Sequence, residues 1–134
     1  SSNMQTTQKF AKSKNVIWIT VISSAEGKQG YIQPNDALNT FASFGSFPDH
    51  ILIDENGDLG KKFNAKTTPH IFIADKNKNI VYQGAIDDAG GSRFWTTDLN
   101  QSTNFVKKVV NDIKSNKPLS VSKTRPYGCS VKYG

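Results

Sequence analysis

One thiol, two imidazoles and a few spaced carboxylates are the groups in this chain with chemistry to offer. Cys129 is the single cysteine, which excludes an intrachain disulfide framework and any multi-cysteine zinc site. It stands between Arg125 and Lys132, and basic neighbours favour the thiolate, the form that attacks a sulfenic acid or a disulfide. The plainer alternative is a tail cysteine with no task. His70 directly follows Thr67-Thr68-Pro69 at the head of an apolar run; it borders a reaction centre if those residues do, and is otherwise an ordinary surface imidazole at a strand start. His50 has only its ionisable ring in its favour. Asp54, Asn56 and Asp58 are spaced like the opening of a calcium loop, but the glycine falls at the fourth position and Ala65 occupies the place of the bidentate glutamate, so the segment reads as a turn. Asp87-Asp88 offers two carboxylates to a cation or a partner, or is a solvated loop. No metal site and no cofactor is expected.

The elements that must position these groups follow from periodicity and punctuation. Residues 3–12 read as a helix with Met4, Thr7 and Ala11 on one side. Residues 16–22 (Val-Ile-Trp-Ile-Thr-Val-Ile) form a continuous β-branched and aromatic run, the pattern of a strand buried on both faces. Pro34 suits a first helical position, and Ala37, Leu38, Phe41 and Ala42 carry a helix to a stop at Gly45. A short strand over 47–53 closes in Asp54-Glu55-Asn56-Gly57, followed by a short helix over 59–64. Residues 70–74 and 80–86 read as an antiparallel pair across the polar turn 75–79. Residues 87–97 are a Gly-rich loop around Phe94 and Trp95. Ser102 or Thr103 caps a helix striped by Phe105, Val106, Val109, Val110 and Ile113, which Pro118 ends. Trp18 and Phe72 are expected in the core. The alternation of helices and strands predicts an α/β layered domain with a mixed sheet.

Composition narrows the function classes. With 134 residues, 36% hydrophobic and 21% charged, the chain is one ordinary domain and neither disordered nor fibrous. The longest apolar run is far short of the ~20 residues of a membrane span, and residues 1–13 lack the apolar centre of a secretory signal. The net charge of +6 is concentrated in Lys117, Lys123, Arg125 and Lys132, near the C-terminus. That makes a basic tail and not a basic face, and argues against nucleic acid as a partner.

Taken together, the segments resemble the thioredoxin superfamily, in which a cis-proline preceded by threonine or valine opens the third core strand. The stretches 47–57, 62–63, 68–73 and 80–84 resemble its redoxin branch, the alkyl hydroperoxide reductase/thiol-specific antioxidant and peroxiredoxin-like proteins. Asn3-Met4-Gln5, Ser23-Ser24-Ala25, Gly27 to Tyr31, Ala85-Ile86-Asp87-Asp88 and the segment 125–133 resemble one peroxiredoxin-like subgroup.

The resemblance implies a thioredoxin-like mixed sheet flanked by helices, residues 1–118, with a basic tail, 119–134, that carries Cys129. In such relatives a core strand and the redox cysteine precede the helix that here spans 3–12. The chain starts after both, so no residue takes the nucleophile's role and the 134 residues alone are expected to have little or no turnover. The implied activity is thiol oxidoreduction on a peroxide or a disulfide. Cys129 is then the resolving thiol, and Thr68, Pro69 and His70 border the substrate across a cis Thr68–Pro69 bond that turns the Thr68 backbone toward the groove. Implied partners are a small-molecule peroxide or a thiol/disulfide reductant protein, with a homo-oligomer formed by strand exchange as one way to fill the missing strand. The alternatives from other classes are a non-catalytic peptide-binding or scaffold module on the same groove, and an interaction protein that works through its basic tail. A single cysteine suits a reducing cytosol and a small periplasmic redoxin alike.

Overall fold

The computed structural model describes residues 2–88 and 103–134. Its helices and small sheets form an α/β structure with two compact units, Ser1–Lys66 with Ser130–Gly134, and Thr67–Cys129.

In the first unit, α1 (Ser2–Ser13) is followed by β1 (Ile19–Ile22), a 3-10 turn (Pro34–Asp36), α2 (Ala37–Ser43), β2 (His50–Ile53) and α3 (Asp58–Lys62). β1 and β2 are parallel, with Ile19 opposite His50 and Val21 opposite Leu52. α1 buries Thr7, Gln8 and Ala11. Buried Gln8 is satisfied by its surroundings: its Nε2 donates to Ser46 Oγ at 3.0 Å and its Oε1 accepts from the Phe47 amide at 3.2 Å. The helix is thereby tied to the link between α2 and β2.

The first strand is shorter than its sequence suggests, and the cause is local. Asn15 has φ 59°, and the amides of Asn15 and Val16 bond back to Lys12 (3.1 Å) and Ala11 (2.9 Å). This is a complete left-handed helix stop, and it uses Val16 as its last residue. The expectation that residues 16–22 are buried on both faces also fails, since Ile17 is 68% exposed, Ile19 52%, Val21 40% and Leu52 45%. β2 is the one strand paired with β1 among the described residues, and one face of this pair lies open. Trp18 and Phe72, expected in the core, are only half-buried.

The same stop recurs at the end of every helix described. Gly45, Asn64 and Asn116 take φ 71°, 57° and 54°. The residue after each bonds back five positions, Ser46 to Phe41, Ala65 to Gly60 and Lys117 to Asp112. Asn116, and not Pro118, is therefore what ends the last helix.

In the second unit, β3 (Thr67–Thr68), β4 (Ile71–Ala74), β5 (Ile80–Gly84) and α4 (Phe105–Lys114) follow in order, and β6 (Cys129–Ser130) falls at its end, with Ser130 counted in the first unit. β4 and β5 are antiparallel, with an irregularity at Ile73/Ala74; β3 pairs with β6. Among the described residues of this unit, Tyr82, Ala85, Ile86, Val106, Val109 and Val110 are the buried apolar ones, so the stripe read on α4 is its core face. Its cap is Asn104 and not Thr103; Ser102, the other cap read from the sequence, lies outside the described residues. Asn104 Oδ1 accepts from the Lys107 amide at 3.0 Å. The reading of Phe94 and Trp95 also lies outside the described residues.

The segment after α4 is tied down. The Gln83 amide donates to Ser122 O at 3.1 Å and the Thr124 amide to Gln83 O at 3.0 Å, which lays Ser122 to Thr124 along β5. Gly84 permits this approach: at φ 145° it lies where a Cβ would overlap the Thr124 backbone and hydroxyl. The Ala85 amide donates to Thr124 Oγ1 (2.9 Å), Thr124 shares a hydrogen bond with Tyr82 Oη (2.7 Å), and the Tyr82 hydroxyl donates to Ala85 O. Since the Tyr82 proton is committed to Ala85, Thr124 is the donor to Tyr82, and the three groups close a ring.

Candidate functional site

Three of the residues singled out for chemistry lie in sequence at one turn, and the fourth comes to it from 60 residues away. The Thr68–Pro69 bond is cis. The Thr67 hydroxyl donates to Pro69 O at 2.8 Å across that bond, fixing the carbonyl ahead of β4. His70 is half-buried, its ring stacked on Phe72 at 4.4 Å between centroids and 24° between planes. Thr68 is exposed.

β6 brings Cys129 to this turn. The cysteine is free and exposed, on the strand paired with Thr67–Thr68. The residue before it, Gly128, has φ 130°. A Cβ there would overlap the Thr68 carbonyl oxygen and lie 3.0 Å from its carbon and 3.4 Å from Pro69 Cδ. Only a residue without a side chain fits between this segment and the Thr68–Pro69 backbone.

Asp87 and Tyr127 hold the approach to Cys129. Asp87 is 2% exposed and accepts a hydrogen bond from the Tyr127 hydroxyl. The reading of Asp87-Asp88 as a solvated pair is therefore wrong for its first member: the Asp87 backbone also forms an antiparallel β-bridge with Asn104, while exposed Asp88 accepts from the Thr103 amide at 2.8 Å. Burial pushes the Tyr127 phenol well above the usual tyrosine range, and the Asp87 carboxylate, which its proton serves, pushes it further. Burial raises Tyr82 as well, with a smaller push from Asp87, and the Thr124 hydrogen bond works against both.

The remaining candidates belong to the first unit, where Asp54 serves structure. Asp54 accepts from Ser23 Oγ (2.7 Å), the Leu59 amide (3.1 Å) and the Gly60 amide (2.8 Å). Burial pushes its carboxyl up, but these donors outweigh that and hold it below the ordinary carboxylate range. Both oxygens are engaged in starting α3, whose cap residue Gly57 has no side chain to do so. Tyr133 lies against Gly57 and Gly60 and donates to Ala65 O at 2.8 Å. His50 is exposed on β2. Among the described residues, no three His, Cys, Asp or Glu side chains gather as metal ligands would.

Sequence reasoning missed β6 and the Tyr127–Asp87 pair. A two-residue strand carries no period to detect, and a contact 40 residues apart has no local signature. The one available signal was an aromatic residue directly before Gly-Cys in the tail.

No family profile and no curated protein matches this chain. Among solved structures it is similar to an uncharacterized conserved protein from Geobacillus kaustophilus, with TM-score 0.78 and 19% identity over 98% of this chain and 68% of that one. It is also similar to a hypothetical protein from Sinorhizobium meliloti 1021, with TM-score 0.75 and 20% identity over 98% of this chain and 70% of that one. At these identities the likeness is one of fold.

Proposed function

We propose that the chain is the body of a thioredoxin-fold, redoxin-type thiol oxidoreductase of the peroxiredoxin-like kind. Thr68, Pro69 and His70 border its substrate, and Cys129 is its resolving thiol. One juxtaposition carries the reading: the single thiol of the chain, exposed, lies on the strand paired with the residues that lead into Pro69.

The chemistry divides between two cysteines. A peroxidatic thiolate outside the 134 residues attacks a peroxide; the O–O bond breaks, an alcohol or water leaves, and the sulfur is oxidised to a sulfenic acid. The Cys129 thiolate attacks that sulfur. An S–S bond forms, the S–O bond breaks, and the departing hydroxide takes a proton and leaves as water. A thiol reductant then returns both sulfurs to thiols by exchange.

The attack by Cys129 is testable on this chain alone with glutathione disulfide as the electrophile. The thiolate displaces one glutathione as thiolate, leaving a mixed disulfide that intact-mass measurement reads directly. The folded chain is expected to form it faster than the urea-unfolded chain, and Cys129→Ser not at all. A folded rate no greater than the unfolded rate would remove the resolving role. A non-catalytic peptide-binding module is the second reading, favoured because Thr67–Thr68 already pairs with an extended segment; it requires peptide affinity that survives in Cys129→Ser.

A further inference from the structure

We propose that Gly128–Cys129 is a built-in occupant of the Thr67–Thr68 backbone edge, a strap that an extended polypeptide must displace to lie beside Pro69. The inference rests on the reading of this edge as the substrate groove and adds what fills it and what kind of partner competes: a strand with a residue lacking a side chain where it crosses the Thr68 carbonyl.

Three observations carry it. The strap pairs with β3 as a foreign strand would, through backbone groups, which makes it a form of strand addition supplied by the chain itself. It is fitted to that place, since Gly128 alone among residue types can approach the Thr68 carbonyl and Pro69 so closely. It is also lightly held. β3 and β6 have two residues each against four and five for β4 and β5, and Gly128, Cys129 and Thr68 are all exposed, so few hydrogen bonds and little apolar area keep it closed. The firm attachments lie on either side of the strap: Ser122 to Thr124 bonded to β5 and Tyr127 on buried Asp87 before it, and the Val131 amide on Lys66 O (3.1 Å) and the Tyr133 hydroxyl on Ala65 O (2.8 Å) after it. That arrangement lets Gly128–Cys129 bow away from β3 while both flanks stay docked. A tethered occupant lowers the apparent affinity of any competitor in proportion to how seldom the edge is vacant.

The probe is a fluorescent peptide with the sequence of residues 125–134 and C129S, which carries the strap's own fit and no thiol. In one arm, its affinity is compared between the wild-type chain and Gly128→Val, whose side chain expels the strap; binding tighter by at least about tenfold is expected. In the other, the wild-type chain is spin-labelled at Cys129, and the nitroxide is expected to pass from restricted to mobile as peptide is added. This arm stands by itself if Gly128→Val fails to fold. Equal affinity for both chains with an unmoved nitroxide would overturn the strap and leave the groove in place. Absence of peptide binding by the spin-labelled wild type and by folded Gly128→Val would also overturn it, and the thiol chemistry would still be judged separately by the glutathione disulfide measurement.

Discussion

Tyr127 donates its phenolic proton to Asp87, joining two residues 40 positions apart and giving a nearly inaccessible carboxylate a protein partner. Tyr127→Phe keeps the ring and deletes this donor, leaving Asp87 one hydrogen bond short in a buried place. A loss of about 1–3 kcal/mol is expected from such a deletion, read as a lower urea midpoint with an unchanged slope.

The same pair sets an alkaline limit. Tyr127 is raised in the folded chain by burial and then by Asp87, and Tyr82 and Tyr133 are raised by burial too. A group that holds its proton more tightly when folded contributes fully while the unfolded phenol is still protonated. That contribution is lost as pH rises from about 10, the free phenol value, toward the folded value. Wild-type stability is therefore expected to fall above about pH 10, and to fall less steeply in Tyr127→Phe. Parallel slopes in urea titrations at stepped pH would show that the Asp87 contact does not govern this limit.

Asn116 ends α4 in a left-handed conformation, where a β-branched residue is strained by roughly 1–2 kcal/mol and glycine is not. Asn116→Val is expected to lower stability by about that amount, and Asn116→Gly to leave it nearly unchanged. Equal melting temperatures for the two variants would contradict the role given to this residue.

These helix stops mark where the sequence was legible. The valine stripe of α4, the hairpin across residues 75–79, Pro34 at a helix start and the stop at Gly45 were readable because each is a local pattern with one physical meaning. Asn15, Asn64 and Asn116 do the same work as Gly45, but asparagine has several other uses in loops, so its presence alone did not reveal a helix end. At the thiol site, Cys129, Thr68, Pro69 and His70 were readable as chemistry-bearing types. That Gly128 seats on the Thr68 carbonyl, and that Asp87 and not Asp88 is buried, depends on contacts from 40 or more residues away and has no counterpart in local sequence.

The β1 run shows the opposite failure, a pattern with a clear meaning that the described residues do not fulfil. Seven successive residues, 16–22, read as a strand covered on both sides. Yet Ile19 and Val21 on β1 and Leu52 on β2 form an open apolar face, with Ile17 exposed just before it. Contiguous apolar surface of this kind binds apolar dyes and lowers solubility. The purified chain is therefore expected to enhance the fluorescence of anilinonaphthalene sulfonate under native conditions. Val21→Thr and Ile19→Thr should reduce that signal and raise solubility; because threonine is also a good strand former, the β1–β2 pairing should persist. Both side chains already meet solvent, so the stability change should stay within about 0.5 kcal/mol, as for ordinary surface substitutions. A dye signal unchanged by both substitutions, or a drop in stability of several times that size, would mean that these side chains are covered in solution.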